Sequence, residues 1–298
     1  MKSLFGRLRG KKRPSAHQNI STVPLSERQI KSILSSQTIR YEPNQLAVGC
    51  GQSVGRQREH NEDSLLAFTA TLGGNGSNYL FGLYIVADGM GGHQHGEVAS
   101  GVAARTLASH ILRKFHPFLT IPSETLDESL QEIMQAAFSE AQRTVTRAAP
   151  GSGTTLTAAL VLGQQVTIAH IGDTRAYIIH PDGRMEALTR DHSLVKRLEE
   201  LGQLTSEEAA LHPQRNVLYR ALGQGEILEP DIFTIPFPQP GFLLLCSDGL
   251  WGVVSEEEIF RTIMDSPNVQ HACQNLIAVA NAAGGPDNIS VVLIQLLS

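Results

Sequence analysis

Two apolar runs in this 298-residue chain stop on the same dipeptide. Leu83-Tyr84-Ile85-Val86-Ala87 leads into Asp88-Gly89-Met90-Gly91-Gly92, and Leu243-Leu244-Leu245-Cys246-Ser247 leads into Asp248-Gly249-Leu250-Trp251-Gly252. A single Asp-Gly is ordinary turn chemistry, because Gly accepts φ > 0 and Asp bonds its own backbone. Two copies at the ends of two core-like strands would deliver two carboxylates to one place. Further acids stand at turn or strand-end positions: Glu62 and Asp63, Asp173, and Asp287 in Gly284-Gly285-Pro286-Asp287-Asn288. If the fold converges them, their mutual repulsion requires cations. All-oxygen ligation without His or Cys spacing selects hard ions, Mg2+ or Mn2+, over zinc. Two such ions about 3.5–4 Å apart can share a water, lower its pKa and hold a phosphoryl group for in-line attack. The glycine after each aspartate would let a backbone carbonyl approach a metal. Arg58, on the same segment as Asp63, offers the planar fork that grips a phosphate.

Competing motifs are weaker. His93-Gln94-His95 has no CxxC or HExxH partner with which to bind zinc. Gly89-x-Gly91-Gly92 is neither a GxGxxG fingerprint nor a Gly-Lys-Ser/Thr phosphate loop.

The elements that must position these residues follow from periodicity. Residues 64–68 and 79–87 read as strands around a turn at 73–78, and Glu97 to Phe115 as a helix with Val98, Val102, Leu107 and Ile111 near one face. Glu124 to Arg147 reads as the clearest helix, with Ser123 as N-cap and Pro150-Gly151 as its stop. Strands are expected at 154–162, 165–171 and 175–180, antiparallel because their turns are short. Residues 191–222 break the rhythm with a short helix at 194–201 and a capping box, Thr205-x-x-Glu208. A strand at 242–247, a helix opened by Ser255-x-x-Glu258, a helix at 269–283 and a strand at 289–296 complete the chain. Hairpin strands with helices between and after them indicate an α+β layered fold, helices covering a mostly antiparallel sheet or pair of sheets.

Composition bounds the rest. With 41% hydrophobic residues the chain can bury one large core or two small ones. No apolar run approaches the ~20 residues of a spanning helix, and no secretory signal or myristoylation site is read at the N-terminus. Cys50, Cys246 and Cys273 are far apart and read as reduced packing residues of a cytoplasmic protein. Six cations and no acid occupy residues 1–13, leaving 18 of the 24 Lys and Arg against 29 Asp and Glu, a body of −11. An acidic body argues against nucleic acid as a partner. Residues 1–45 read as a basic, flexible leader, with anionic membrane surface or RNA as the alternative contact and 46–298 as the folded domain.

In order along the chain stand Gly55-x-x-Arg58-x-x-Asn61-Glu62-Asp63-Ser64, Ala87-Asp88-Gly89-Met90-Gly91-Gly92-His93, Gly153-Thr154-Thr155, Gly172-Asp173-Thr174-Arg175, Leu188-Thr189-x-Asp191-His192-Ser193, His212-Pro213-x-Arg215-Asn216, Ser247-Asp248-Gly249-Leu250 and Gly285-Pro286-Asp287-Asn288. Together they resemble the metal-dependent protein Ser/Thr phosphatases of the PP2C (PPM) type in their bacterial form, over about five sixths of the chain. The resemblance implies a β-sandwich of two antiparallel sheets flanked by helices, in α-β-β-α layers. It implies that Asp88 bridges two ions, Mn2+ or Mg2+, with the Gly89 carbonyl on one and Asp248 and Asp287 on the other. Glu62 and Asp63 would hold waters on the metals, Asp173 would join Asp248 at a weaker third ion, and Arg58 would bind the substrate phosphate. Residues 191–222 would form the flap beside the active site. Where animal-type members carry a proposed acid, His directly after Asp-Gly, this chain has Met90, so the proton donor stays open between His93 and water.

These observations lead to the expectation of a cytoplasmic phosphatase that hydrolyses phosphoserine and phosphothreonine in proteins by direct attack of a metal-activated water. Phosphorylated proteins, among them a Ser/Thr kinase, would be its partners, and it would act as a monomer. A phosphoprotein-sensing module on the same fold, and a hydrolase of small phosphate esters or nucleotides, are the rival readings.

Overall fold

The computed structural model describes residues 43–73, 79–91, 95–121, 126–225 and 228–298. The leader, apart from its last three residues, and His93 therefore lie outside the described residues.

Strand β3 (Tyr79–Met90) shows how the sequence builds the layers. Its side chains alternate, Leu83, Ile85 and Ala87 into one core and Tyr84 and Val86 into another, so both faces are apolar and the run looks continuous. β3 lies between β2 (Asp63–Leu72) and β5 (Leu156–Leu162), and the sheet continues through β6 (Gln165–Ile171) to β9 (Asp231–Pro236). The second sheet has the order β1 (Gln45–Ser53), β11 (Ile289–Leu297), β10 (Phe242–Cys246), β7 (Arg175–Ile179), β8 (Met185–Ala187). All these pairings are antiparallel.

Leu243 and Leu245 of β10 and Val292 and Ile294 of β11 meet Tyr84 and Val86 between the sheets. Helices α1 (Gly96–Thr120) and α2 (Leu130–Ala148) cover the first sheet through Leu107, Ile111, Phe115, Ile133 and Phe138. On the far side α6 (Glu256–Met264) and α7 (Val269–Ala282) cover the second through Ile259, Ile263, Ala272 and Leu276. The α-β-β-α sandwich expected from the sequence is the fold found.

Several elements differ from the sequence reading. Helix α2 starts at Leu130, while the N-cap expected at Ser123 and the start expected at Glu124 lie outside the described residues: Ser129 caps Glu132 N–H and the Glu132 carboxylate takes the Ser129 N–H, a complete capping box that fixes the start. The strand expected at 154–162 is two pieces, a short β4 (Gly153–Thr154) and β5, parted at Thr155. β6 and β7, joined by three residues, do not pair; the connection Gly172-Asp173-Thr174 crosses from one sheet to the other. Edge strands β1, β8 and β9 carried too little alternation to be read.

Candidate active site

Asp63 opens β2 and faces Asp88 near the end of β3; the two are direct cross-strand partners, which sets their side chains on one face. Each is held by hydroxyls. Asp63 Oδ2 accepts from Ser247 Oγ at 2.8 Å and from Ser290 Oγ at 2.7 Å, so a first-sheet carboxylate is pinned by two residues of the second. Asp88 donates its N–H to Thr155 Oγ1 at 2.9 Å, and its carbonyl accepts from Thr155 N–H and Thr154 Oγ1, both at 2.9 Å. That fixes why the strand breaks at Thr155.

Asp248 follows β10 and opens a single helical turn, α5 (Asp248–Trp251). Asp173 sits on the sheet-crossing turn, 8% exposed. Asp287 caps its own turn, accepting the Asn288 N–H at 2.8 Å, and receives Arg58 Nη2 at 2.7 Å. The guanidinium expected to grip phosphate thus already faces the carboxylate set, and its hydrogen bond to Asp287 raises its pKa further. Asn288 stitches the Arg58 segment down: its Nδ2 donates to the carbonyls of Val54 and His60 at 2.8 and 2.9 Å, and its Oδ1 accepts the Glu62 N–H at 2.8 Å.

The glycines serve packing. A Cβ on Gly89 would lie 2.2 Å from the Gly96 carbonyl oxygen and 2.6 Å from that of Glu62, and one on Gly249 would lie 2.0 Å from the Asn288 carbonyl oxygen. The two Asp-Gly pairs let the strand ends, the start of α1 and the Asp287 turn nest together.

Arg58, Glu62, Asp88, Gly89, Asp173, Asp248 and Asp287 line one cavity of about 550 Å3, with His60 the imidazole in its wall. A second cavity of about 790 Å3 adjoins it, sharing Arg58, Asp173, Asp248 and Asp287 and walled by Val195, Lys196 and Arg215 of the 191–222 excursion. Asp63 stands behind the first cavity rather than in its lining.

The acids are electrostatically frustrated. Burial, followed by the charges of Asp63 and Asp248, holds Asp88 well above the ordinary carboxylate range. Burial and Asp248 do the same to Asp173. Burial, then Asp287, pushes Asp248 up to about 6. Burial pushes Asp63 up to about 7 against the bonds from Ser290 and Ser247. Asp63 Oδ1 and Asp248 Oδ1 are buried with no hydrogen-bond partner. Orphaned carboxylate oxygens among like charges fit divalent cations. Among the described residues no three His, Cys, Asp or Glu side chains close on one point, so each ion would take few protein ligands and fill its shell with water, as suits Mg2+ and its kin.

One rival spacing is removed. Cys50 and Arg56 stand in Cys-x5-Arg relation, the pattern of a cysteine nucleophile above a phosphate cradle. The structure extends this segment instead: Cys50 pairs with Val292 inside β1 and packs against the core between the sheets.

Residues 47–289 match the family described as Protein phosphatase 2C. The chain belongs to the protein phosphatase 2C family. This PP2C chain is a serine/threonine phosphatase of the bacterial type. It is 39% identical over 246 residues to the serine/threonine phosphatase stp of Listeria innocua, covering 81% of this chain and 92% of that one. Protein phosphatase PhpP of Streptococcus pneumoniae is 34% identical over 254 residues, covering 82% and 94%. The crystal structure of the Mycobacterium tuberculosis serine/threonine phosphatase PstP/Ppp aligns with a TM-score of 0.70 at 33% identity, over 85% of this chain and 99% of that one. A structure of the PstP catalytic domain in complex with two manganese ions aligns with a TM-score of 0.69 at 31% identity, over 86% and 100%.

The sequence reading of the PP2C site passed over its supports. Thr154 and Thr155 stood in a quoted motif without a role, as did Asn288; Ser247 was visible only as the residue before Asp248. Ser290 gave no signal, since its contact to Asp63 spans 227 positions.

Proposed function

We propose that this chain hydrolyses phosphoserine and phosphothreonine in proteins, using two divalent cations, Mn2+ or Mg2+, held by the gathered carboxylates. One observation carries the reading: Asp63, Asp88, Asp173 and Asp248, on separate elements, are all held above the ordinary carboxylate range by burial first and then by neighbouring carboxylates, which for Asp248 is Asp287. When bound, the ions supply Lewis acidity and a water ionised near neutral pH.

The chain's own residues do the rest. Asp88, Asp248, Asp287 and the Gly89 carbonyl would hold the pair of ions, Glu62 and Asp63 would accept hydrogen bonds from water, and Asp173 with Asp248 would offer a weaker third position. Arg58 turns its remaining guanidinium donors to the substrate phosphate, orienting it and balancing charge on its equatorial oxygens. The segment carrying Arg58 is fixed by Asn288, so the fork is presented without ordering a loop. No phosphoenzyme forms, because Cys50 is turned into the core and the cavity wall holds no cysteine.

Residues 191–222 act as a flap that selects among phosphoproteins, since nine of its residues, Val195, Lys196 and Arg215 among them, wall the larger cavity. We place the phosphatase in the cytoplasm, opposing a Ser/Thr kinase, as a monomer of residues 46–298 behind a basic leader at 1–45. Three free thiols support a reducing compartment, and no helix among the described residues is long and apolar enough to cross a membrane. The test compares phosphate release from a phosphothreonine peptide and from nucleotides in Mn2+. Faster turnover of the peptide is expected; preference for nucleotides would replace the phosphoprotein reading, and no turnover of either by folded protein would favour a sensing module.

A further inference from the structure

His192 has no part in the chemistry above, yet its buried ring, 1% exposed, makes a closed set of bonds. The His192 backbone N–H donates to the Gly172 carbonyl at 2.7 Å, and the ring Nδ1 accepts the Gly172 N–H at 3.1 Å, a two-bond clamp on the residue before Asp173. With Nδ1 accepting, the ring proton sits on Nε2, which donates to Asp231 Oδ2 at 3.2 Å. Asp231 Oδ1 in turn meets Arg220 Nη1 at 3.5 Å, and the His192 carbonyl accepts the Tyr219 N–H at 2.9 Å. Tyr219 and Arg220 belong to the returning segment of the 191–222 excursion. His192 therefore binds the Asp173 turn, the start of the flap and its return.

The turn has nowhere else to go. Gly172 has φ +107, and a Cβ there would lie 2.5 Å from Thr155 Cβ. The neighbour of His192 clamps the same turn from its other side: Asp191 takes Arg175 through two bonds, at 2.9 and 2.7 Å. The Arg175 guanidinium lies 3.5 Å over the Trp251 ring, whose Nε1–H donates to the Asp173 carbonyl at 3.0 Å. Two adjacent residues at the flap root thus hold Asp173 from both sides.

We propose that His192 is a positioning residue for Asp173, tying the turn that carries this carboxylate to the outgoing and returning segments of the flap root so that displacement of the flap displaces Asp173. The proposal rests on Asp173 being a cation ligand. It differs from a structural role in its specificity: the Nδ1 acceptor is needed for the weakest ion, while the ring's bulk is not.

Two variants separate the ring's two bonds. In His192→Asn the side-chain oxygen takes the place of Nδ1, keeping the acceptor for Gly172; in His192→Gln the amide reaches Asp231 and the acceptor is lost. Mn2+ binding to the full chain would be titrated with the emission of Trp251, the one tryptophan in the sequence, and independently by the signal of free Mn2+ in electron paramagnetic resonance. His192→Gln is expected to weaken the weakest Mn2+ constant by about 10–100-fold, as outer-shell changes do, and His192→Asn by no more than about threefold. In an Asp173→Asn background His192→Gln should change Mn2+ binding no further.

Unchanged binding in His192→Gln beside weakened binding in Asp173→Asn would overturn the positioning role. So would a loss in His192→Gln that persists undiminished without Asp173. Unchanged binding in Asp173→Asn would instead overturn the placement of Asp173 at an ion, and the proposal with it. If His192→Gln does not fold, Asp231→Ala, which removes the half-exposed group that keeps the ring proton on Nε2 together with its ion pair to Arg220, is expected to loosen the same ion, and unaltered Mn2+ binding there would count against the clamp.

Discussion

Asp248→Asn should make the metal-free protein more stable. Asp248 is drawn by burial and by Asp287 from its ordinary 3.8 up to about 6, with Oδ1 buried and unpartnered. A raised folded pKa means that the fold binds more protons than the unfolded chain, so this contribution is present below about pH 4 and is lost as pH rises through about 6. At pH 8 without metal, ionising Asp248 in the fold costs about 3 kcal/mol relative to the unfolded chain. Asparagine removes that charge, keeps the shape and can donate to Asp88, so the metal-free variant should melt about 6–12 °C above wild type at pH 8 in EDTA. The gap should close as pH falls towards 4. Divalent cation at about a thousand times Kd should invert the order, because wild type then gains about 4.1 kcal/mol, more than the ~3 kcal/mol that ionised Asp248 costs, while a variant short of one ligand gains little. The assay is thermal unfolding of both proteins in EDTA and in Mn2+ at several pH values. An asparagine variant that melts at or below wild type in EDTA at pH 8 would refute the view that these carboxylates are held together against their repulsion.

Other consequences are more local. Arg58→Lys keeps the charge and loses the fork, so kcat/KM for a phosphothreonine peptide should fall about 10–100-fold, with the melting temperature unmoved because Arg58 is exposed; steady-state kinetics decide it. Asn288→Ala leaves the Glu62 N–H and two carbonyls without their partner, which should cost about 1–3 kcal/mol in urea unfolding and raise KM more than it lowers kcat, because it frees the segment bearing Arg58. Cys50→Ala should leave phosphate release intact, and abolished activity would restore the Cys50-x5-Arg56 spacing as a catalytic motif.

The acids that matter were legible because an apolar strand buried on both faces shows as a continuous run, and a charge that ends such a run stands out. That logic brought out Asp88 and Asp248, which the fold gathers at one cavity, while the two-sheet sandwich came from the resemblance, the hairpin pattern alone leaving one sheet or a pair. It failed where the deciding contact is distant in sequence or the signal is short. Three-residue β8 and the half-exposed β9 have no pattern to detect. The crossing at Gly172–Thr174 looked like a hairpin, because a short loop between two apolar runs gives no hint that the strands join different sheets. Arg58 was read as free to grip phosphate, whereas in the fold it also pairs with Asp287, from a position 229 residues away. The Ser and Thr hydroxyls that aim Asp63 and Asp88 are ordinary in sequence and decisive in space.

Asp88 pairs with Asp63 across the first sheet and is pushed up by burial and by the charges of Asp63 and Asp248, so cation binding and hydrolysis should depend on it most. The most direct measurement is phosphate release from a phosphothreonine peptide by wild type in Mn2+, wild type in EDTA, and Asp88→Asn in Mn2+, with Mn2+ bound per chain counted in the same samples. The account predicts release in the first alone and loss of tightly bound Mn2+ in the variant. Release that persists in EDTA, or a folded Asp88→Asn protein that binds Mn2+ and turns over as wild type does, would contradict it.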